Sequence, residues 1–490
     1  MTELICAGWI LDGKGGQYPN YGMLVENCQI KEIGEAKELQ RKYPGTKKLC
    51  KENWVIVPGY LDAHDHGRAI SPFGFGALDD PLELWIPQLG KVSVPAYEAA
   101  LYDGIQLAKS GVTTVVHCHN ISEVNRIKEE LLDTVQGYLD AGIRVVLCPP
   151  YTDQNAIIYD DREEFVKTLD VRQREEFSKM IMDCPVSLSE YFQLIEALKE
   201  DMKDWIQDKR VAVQLHPVGG QWCSDKALEE IKNYALKNNM RIHMHLLETK
   251  YQKIYSQRKW GKSIVEHFEE NGFLGYWLTI AHGVWLSGRD REILRERKVK
   301  VVTNPSSNLR LRSGIFALGE MLKEGITCAV GLDGCTLDDD QDYGRELRLA
   351  LYNPALSGIN GKISHEQIAQ VAYQGGAEAV GDNLSSGRLE EGVPADFICY
   401  DKEKLEFPYV DDSLTWTEKI VQRGSRAAID AVYCGGRRII EQHRSLTASE
   451  EEVGAALAQH ARNCKKDRNL VSESLLTAIA QFYQNWEAGG

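Results

Sequence analysis

The segment Val57–Ile70 reads VPGYLDAHDHGRAI and sets His64 and His66 two residues apart, behind an apolar run closed by Pro58 and Gly59. Side chains two apart on an extended chain project to the same face. Two imidazoles therefore stand together where a buried strand ends. Similar endings recur: GVTTVVHCH ends in His117 and His119, and KRVAVQLHP carries His216. MRIHMHLLE carries His243, His245 and Glu248, WLTIAHG carries His282, and ITCAVGLDG carries Asp333. A lone strand-end histidine is most often a capped or packed side chain. Eight of the chain's 12 histidines at such ends make a pattern, and imidazoles gathered with carboxylates read as a metal site.

The runs that carry these residues are short and β-branched, and they begin near Asn53, Gly111, Gly142, Lys209, Met240, Trp277, Val299 and Ile326. Amphipathic stretches separate most of them, such as Ser224–Asn239, which opens on a serine N-cap and repeats its apolar residues at helical spacing. Eight βα units in series predict an α/β chain folded as a (β/α)8 TIM barrel over residues 58–378. An open doubly wound sheet is the alternative. Functional residues of such a barrel come from the C-terminal ends of its strands, so these side chains share one rim. The flanks, residues 1–57 and 379–445, read as short strands too few to stand alone. They are expected to pair into one small composite β-sandwich domain, with residues 446–490 as a C-terminal helical tail. A polar, helix-patterned excursion, Asp160 to Gln207, is expected to cover part of the barrel mouth.

A 490-residue chain with 43% hydrophobic and 26% charged residues is long enough for a barrel and a smaller companion. Its net charge of −15 argues against nucleic acid as a partner, because phosphate binding calls for clustered Lys and Arg. No apolar run approaches the length of a membrane span. The N-terminus lacks a basic stretch followed by an apolar core, so no secretory signal is expected. The 12 cysteines include no Cys-x-x-Cys pair, which predicts reduced thiols and a cytoplasmic protein. Cys118, Cys223 and Cys335, near the rim, read as small apolar packing.

The chain resembles the amidohydrolase superfamily, and within it the cytosine-deaminase-like and triazine-hydrolase-like aminohydrolases. The resemblance rests on PGYLDAHDH from Pro58, HLLET from His245, AHGVW from Ala281, NPSSNLRLRSG from Asn304 and GLDG from Gly331. GRLEEGVPADFICYD from Gly387 resembles the re-entry into that family's composite β-domain. The resemblance implies that His64, His66, His245 and Asp333 bind one divalent metal, with Glu248 as proton shuttle and His282 orienting the attacking water. Three neutral imidazoles and a carboxylate suit zinc, with ferrous iron as alternative. His243 shares the parity of His245 and is the second choice of ligand. His245 is preferred because it lies nearer the strand end and sets the His-x-x-Glu spacing. Two-metal relatives carry a bridging Lys or Glu at the end of strand four. Here that end offers Gln214 and His216, which favours a mononuclear site.

The resemblance implies a hydrolase acting on non-peptide carbon–nitrogen bonds: attack on an amidine-like C=N carbon of a small nitrogen heterocycle, releasing ammonia. The alternative is a different leaving group or a cyclic amide, for example sulfide from a thiohydantoin propionate. Arg68 and Arg310 are candidate substrate contacts, and would select an anionic heterocycle if they line the pocket, since guanidinium binds carboxylate bidentately. Trp85, His119 and His216 are further candidates. The histidine with which many relatives contact substrate is replaced here by Val218 or shifted to His216. Self-association into a homo-oligomer is also implied.

Overall fold

The computed structural model describes residues 2–89, 94–154, 157–180, 186–352, 363–381, 384–464 and 471–488. Strands from both flanks form one continuous nine-stranded sheet. Lys47–Pro58 pairs in parallel with Thr2–Leu11 on one side and antiparallel with Phe397–Asp401 on the other, so the two ends of the chain meet along one seam. The period-two alternation of a strand shows here in which core each side chain enters. Trp54 and Ile56 pack with Phe397, Cys399 and Ala431 in a core shared with Ile5, Met23 and Val25. Val55 and Val57 face the opposite way, with Ile398, Tyr400 and Val432, into the main core.

The apolar run from Asn53, expected as one strand, is two. Lys47–Pro58 belongs to the flank sheet, and the chain passes at Gly59 into the first parallel strand. Gly59 donates its backbone N–H to the Asp396 carbonyl at 3.0 Å. A Cβ there would stand 2.5 Å from Thr113 Cγ2 and Oγ1. Only glycine lets the two strands join at that spacing.

Eight parallel strands follow: β1 (Tyr60–Asp65), β2 (Val112–Cys118), β3 (Arg144–Cys148), β4 (Val211–Val213), β5 (Ile242–Leu246), β6 (Leu278–His282), β7 (Lys300–Thr303) and β8 (Cys328–Val330). They pair in sequence as two four-stranded sheets, β1–β4 and β5–β8. A parallel bridge between Leu215 and Ile242 joins the chain beyond β4 to β5. At the other edges, the Asp333 N–H donates to the His64 carbonyl at 2.9 Å.

Over the C-terminal ends of these strands lies a second hydrophobic core. It unites α1 (Leu82–Leu89), α2 (Arg162–Thr168), α3 (Val171–Met180) and α4 (Glu473–Ala488) with Trp222, Tyr255, Leu311 and Cys335 from loops and helices after β4, β5, β7 and β8. One expectation changes. The excursion divides: its first half joins this core, whereas Leu188–Asp201, capped by Ser187 and Glu190, buries Tyr191, Ile195 and Leu198 in the main core like any βα helix. Residues 181–185 of the excursion, and 465–470 and 489–490 of the tail, lie outside the described residues. The tail's last helix packs into the second core. Leu475, Ile479, Tyr483 and Trp486 of α4 are buried against α1 and its neighbours, because that face is apolar at helical spacing.

Candidate metal centre and active site

The ends of β1, β5, β6 and β8 converge on one buried point. His66 Nδ1 lies 2.7 Å from the Cys118 carbonyl, and His245 Nδ1 2.6 Å from the Val218 carbonyl. A carbonyl only accepts, so each Nδ1 carries the proton and each Nε2 presents a lone pair. Those two Nε2 atoms face each other at 3.2 Å. Asp333 Oδ1 stands 3.2 Å from His66 Nε2 and 3.4 Å from His64 Nε2. Burial pushes the His64 imidazole down to about 3 and lowers those of His66 and His245, so the rings are neutral. His64 Nε2 is buried with no hydrogen-bond partner among the described residues. Lone pairs aimed at one another in a dry interior need a cation between them, and three imidazole nitrogens with one carboxylate oxygen are a donor set that fits one. A divalent ion is thus consistent with His64, His66, His245 and Asp333.

Backbone geometry sets these side chains. His282 and Asp333 both have positive φ, 72° and 59°, and each is followed by a glycine of positive φ. Each strand therefore turns sharply at its last chemical residue, a strained conformation that clusters at functional sites. His-Gly and Asp-Gly in the sequence were the available signal. Behind β8, a Cβ on Gly331 would stand 2.6 Å from the His64 carbonyl oxygen and 2.5 Å from Asn304 Oδ1. Backbone cannot yield there. Gly331→Ala is expected to lower stability by about 1–3 kcal/mol and to weaken metal retention, checked by thermal denaturation and elemental analysis. An unchanged melting temperature would refute the close packing of β8 on β1.

Glu248 is fully enclosed. Burial first, then the charges of Asp333 and Glu83, push its carboxyl up to about 7, against the opposing effect of His282. His282 Nε2 lies 3.7 Å from Glu248 Oε2, and its Nδ1 donates to Asn308 Oδ1 at 3.1 Å, while the Asn304 carboxamide packs beside the ring. A supporting group that the sequence did not reveal is Ser307, whose hydroxyl donates to Asp333 Oδ2; His243, the second choice of ligand, places its Nε2 3.0 Å from His64 Nδ1. His243 stands behind His64 rather than facing His66 and Asp333, which separates it from His245.

The other candidates divide. Arg68 donates to the Asp333 carbonyl and lies 5.2 Å over the Trp85 ring, so both flank the site. The His216 ring stands 5.4 Å from that of His245, with its Nδ1 on the His243 carbonyl at 2.7 Å. Arg310 is corrected from substrate contact to strut: it grips Asp79 at 2.9–3.1 Å, Asp339 at 2.5 Å and the Thr336 carbonyl at 2.7 Å. His119 is corrected likewise. It lies 3.0 Å from Glu130 and 3.1 Å from His117, in a buried polar chain that continues through Tyr138 to Asp103. Both side chains satisfied distant partners instead of facing the mouth, because a buried donor without an acceptor is costly.

The Amidohydrolase family model matches residues 55–439. A 5-methylthioadenosine/S-adenosylhomocysteine deaminase of Thermococcus sibiricus is 28% identical over 412 residues, covering 82% of this chain and 86% of its own. An adenosine deaminase structure from Xanthomonas campestris with bound zinc superposes with a TM-score of 0.80 at 20% identity, covering 95% of this chain and 98% of its own. A triazine hydrolase structure from Arthobacter aurescens gives 0.75 at 18% identity, covering 94% and 99%. The chain belongs to the amidohydrolase family.

Proposed function

We propose that the protein is a metal-dependent deaminase, adding water to an amidine-like C=N carbon of a nitrogen heterocycle and releasing ammonia. The observation that carries this reading is the meeting of His64, His66, His245 and Asp333 near an enclosed Glu248, whose carboxyl is raised by burial. Curated and structural relatives named as adenosine-type deaminases make an aminopurine the substrate class of choice, and ammonia rather than sulfide the leaving group. We further infer that the two parallel sheets are halves of a closed (β/α)8 barrel, beside a composite β-domain of residues 1–57 and 379–445. The absence of any disulfide among the described residues supports a cytoplasmic setting.

His64, His66, His245 and Asp333 would hold one divalent ion, zinc before ferrous iron. Bound there, it supplies the Lewis acidity that makes water a nucleophile near neutral pH. Asp333, held by Ser307, accepts the proton that the attacking water loses. Glu248 delivers a proton to the departing nitrogen. His282, fixed by Asn304 and Asn308, stays turned toward Glu248 and aligns it. A single ion per chain is supported at the end of β4, where Gln214 gives its amide to the Val380 carbonyl at 2.7 Å and no acid follows.

Protein purified without chelator is expected to hold about one zinc or iron per chain and to release ammonia from an aminopurine. Chelation should abolish release and zinc should restore it. Sulfide release in place of ammonia, or ammonia release that survives full metal removal, would overturn the reading. A ratio near two would overturn the mononuclear site alone.

A further inference from the structure

Four buried polar atoms on segments that follow the barrel strands are satisfied by no described residue: the acceptor Glu83 Oε2 and the donors Trp85 Nε1, Gln221 Nε2 and Gln252 Nε2. They come from α1, from the loop after β4 and from the helix Lys250–Trp260 after β5. Two of them are tied to the site. Gln252 Oε1 accepts the Glu248 backbone N–H at 2.9 Å, and Trp85 lies beneath the Arg68 guanidinium. Glu83 is 2% exposed, and both of its donors, Thr249 Oγ1 at 2.5 Å and the Tyr159 hydroxyl at 2.9 Å, bind the same oxygen, Oε1. Tyr159 is itself anchored by Tyr483 of α4. Two rigid supports thus hold the carboxylate and leave its second oxygen unmatched.

Buried polar atoms are satisfied in folded proteins, and unmatched ones gathered beside a reacting centre mark where a ligand completes them. Resting on the deaminase reading, we propose that Glu83 binds substrate. It takes a hydrogen-bond donor, a hydroxyl or amino group, on the substituent of the heterocycle. The ring nitrogens of the heterocycle supply acceptors for the surrounding N–H donors. A carboxylated substituent is disfavoured: it would meet Glu83, Glu248 and Asp333, while Arg68 is already engaged by the Asp333 carbonyl and the face of Trp85. This replaces the anionic substrate considered from the sequence.

The test uses the full-length, metal-loaded Glu248→Gln protein, in which turnover is blocked and binding is read by calorimetry. The probes are 9-(2-hydroxyethyl)adenine, 9-(2-aminoethyl)adenine, 9-ethyladenine and 9-(carboxymethyl)adenine. The hydroxyl or the amino probe is expected to bind about tenfold tighter than the ethyl probe, as a hydrogen bond to a charged group implies. Which of them does so identifies the donor. Adding Glu83→Gln should erase that preference while ethyl binding stays within about twofold. Where that variant does not fold, Glu83→Asp, which withdraws the carboxylate by one methylene, should reduce the preference. Equal binding of the ethyl, hydroxyl and amino probes, equal weakening of all probes by Glu83→Gln, or tightest binding of the carboxymethyl probe would overturn the proposal. Ammonia release by the wild type without a substituent preference sinks this proposal alone. A substituent preference without ammonia release from any aminopurine sinks the deaminase reading alone.

Discussion

Asp333→Asn is expected to lower turnover by about 10³-fold or more and to reduce bound metal. The change keeps the shape of the side chain and removes its charge. Asp333 Oδ1 faces the Nε2 atoms of His64 and His66, and Ser307 holds Oδ2. An amide oxygen in that place is a weaker ligand, and its NH2 can turn a donor toward the cation. Nor can it accept the proton that the attacking water loses. Losing several kcal/mol of transition-state stabilisation corresponds to a fall of this size. Steady-state kinetics and elemental analysis on the same preparation check it. Wild-type metal with wild-type turnover would remove Asp333 from both of its roles.

Glu248→Gln is expected to leave metal content near that of the wild type and to cost roughly 10²–10⁴-fold in turnover, the usual share of general acid–base catalysis. Its separation from the metal donors makes the two readouts diverge: its nearest ring is His282, at 3.7 Å. The pH profile gives a second signature. Burial raises this carboxyl from 4.5 to about 7. The protonated, donating form is therefore full below that value and is lost as pH rises through it. Wild-type turnover should fall along an alkaline limb near pH 7, and Glu248→Gln should lack that limb. The same sign governs stability. A folded-state value above the unfolded one favours the native state at low pH, and that favour disappears as pH rises through about 7. Loss of metal in Glu248→Gln would make it a ligand and end its assignment as shuttle.

Much of the centre was legible because its information is local. The parity of His64 and His66, the His-x-x-Glu of His245 and Glu248, and the His-Gly and Asp-Gly strand ends each concern a few adjacent residues. Strand periodicity of two fixes which side chains share a face, and eight β-branched runs gave eight parallel strands. His243 and His245 have the same parity, and the sequence preferred His245 only for its nearness to the strand end and its His-x-x-Glu spacing. The choice between them needed the carbonyl of Val218 on one ring and His64 on the other.

The sequence by itself determined which residue types stand at the strand ends, the alternation of strand and helix, and the membership of both flanks in β-structure. Only the tertiary structure decided what each polar side chain beyond them is for. Arg310 reads as a substrate contact until Asp79, 231 residues away, is seen to hold it, and Glu83 carries no sequence signal until Thr249 and Tyr159 enclose it. The second core over the strand ends is gathered from segments between Leu82 and Trp486, none of which has a period that names its partners. Periodicity reports the direction of a side chain relative to its own backbone. Whether that direction ends in water, in a substrate or in another residue's carboxylate depends on contacts between segments far apart in the chain, and folding alone brings those together.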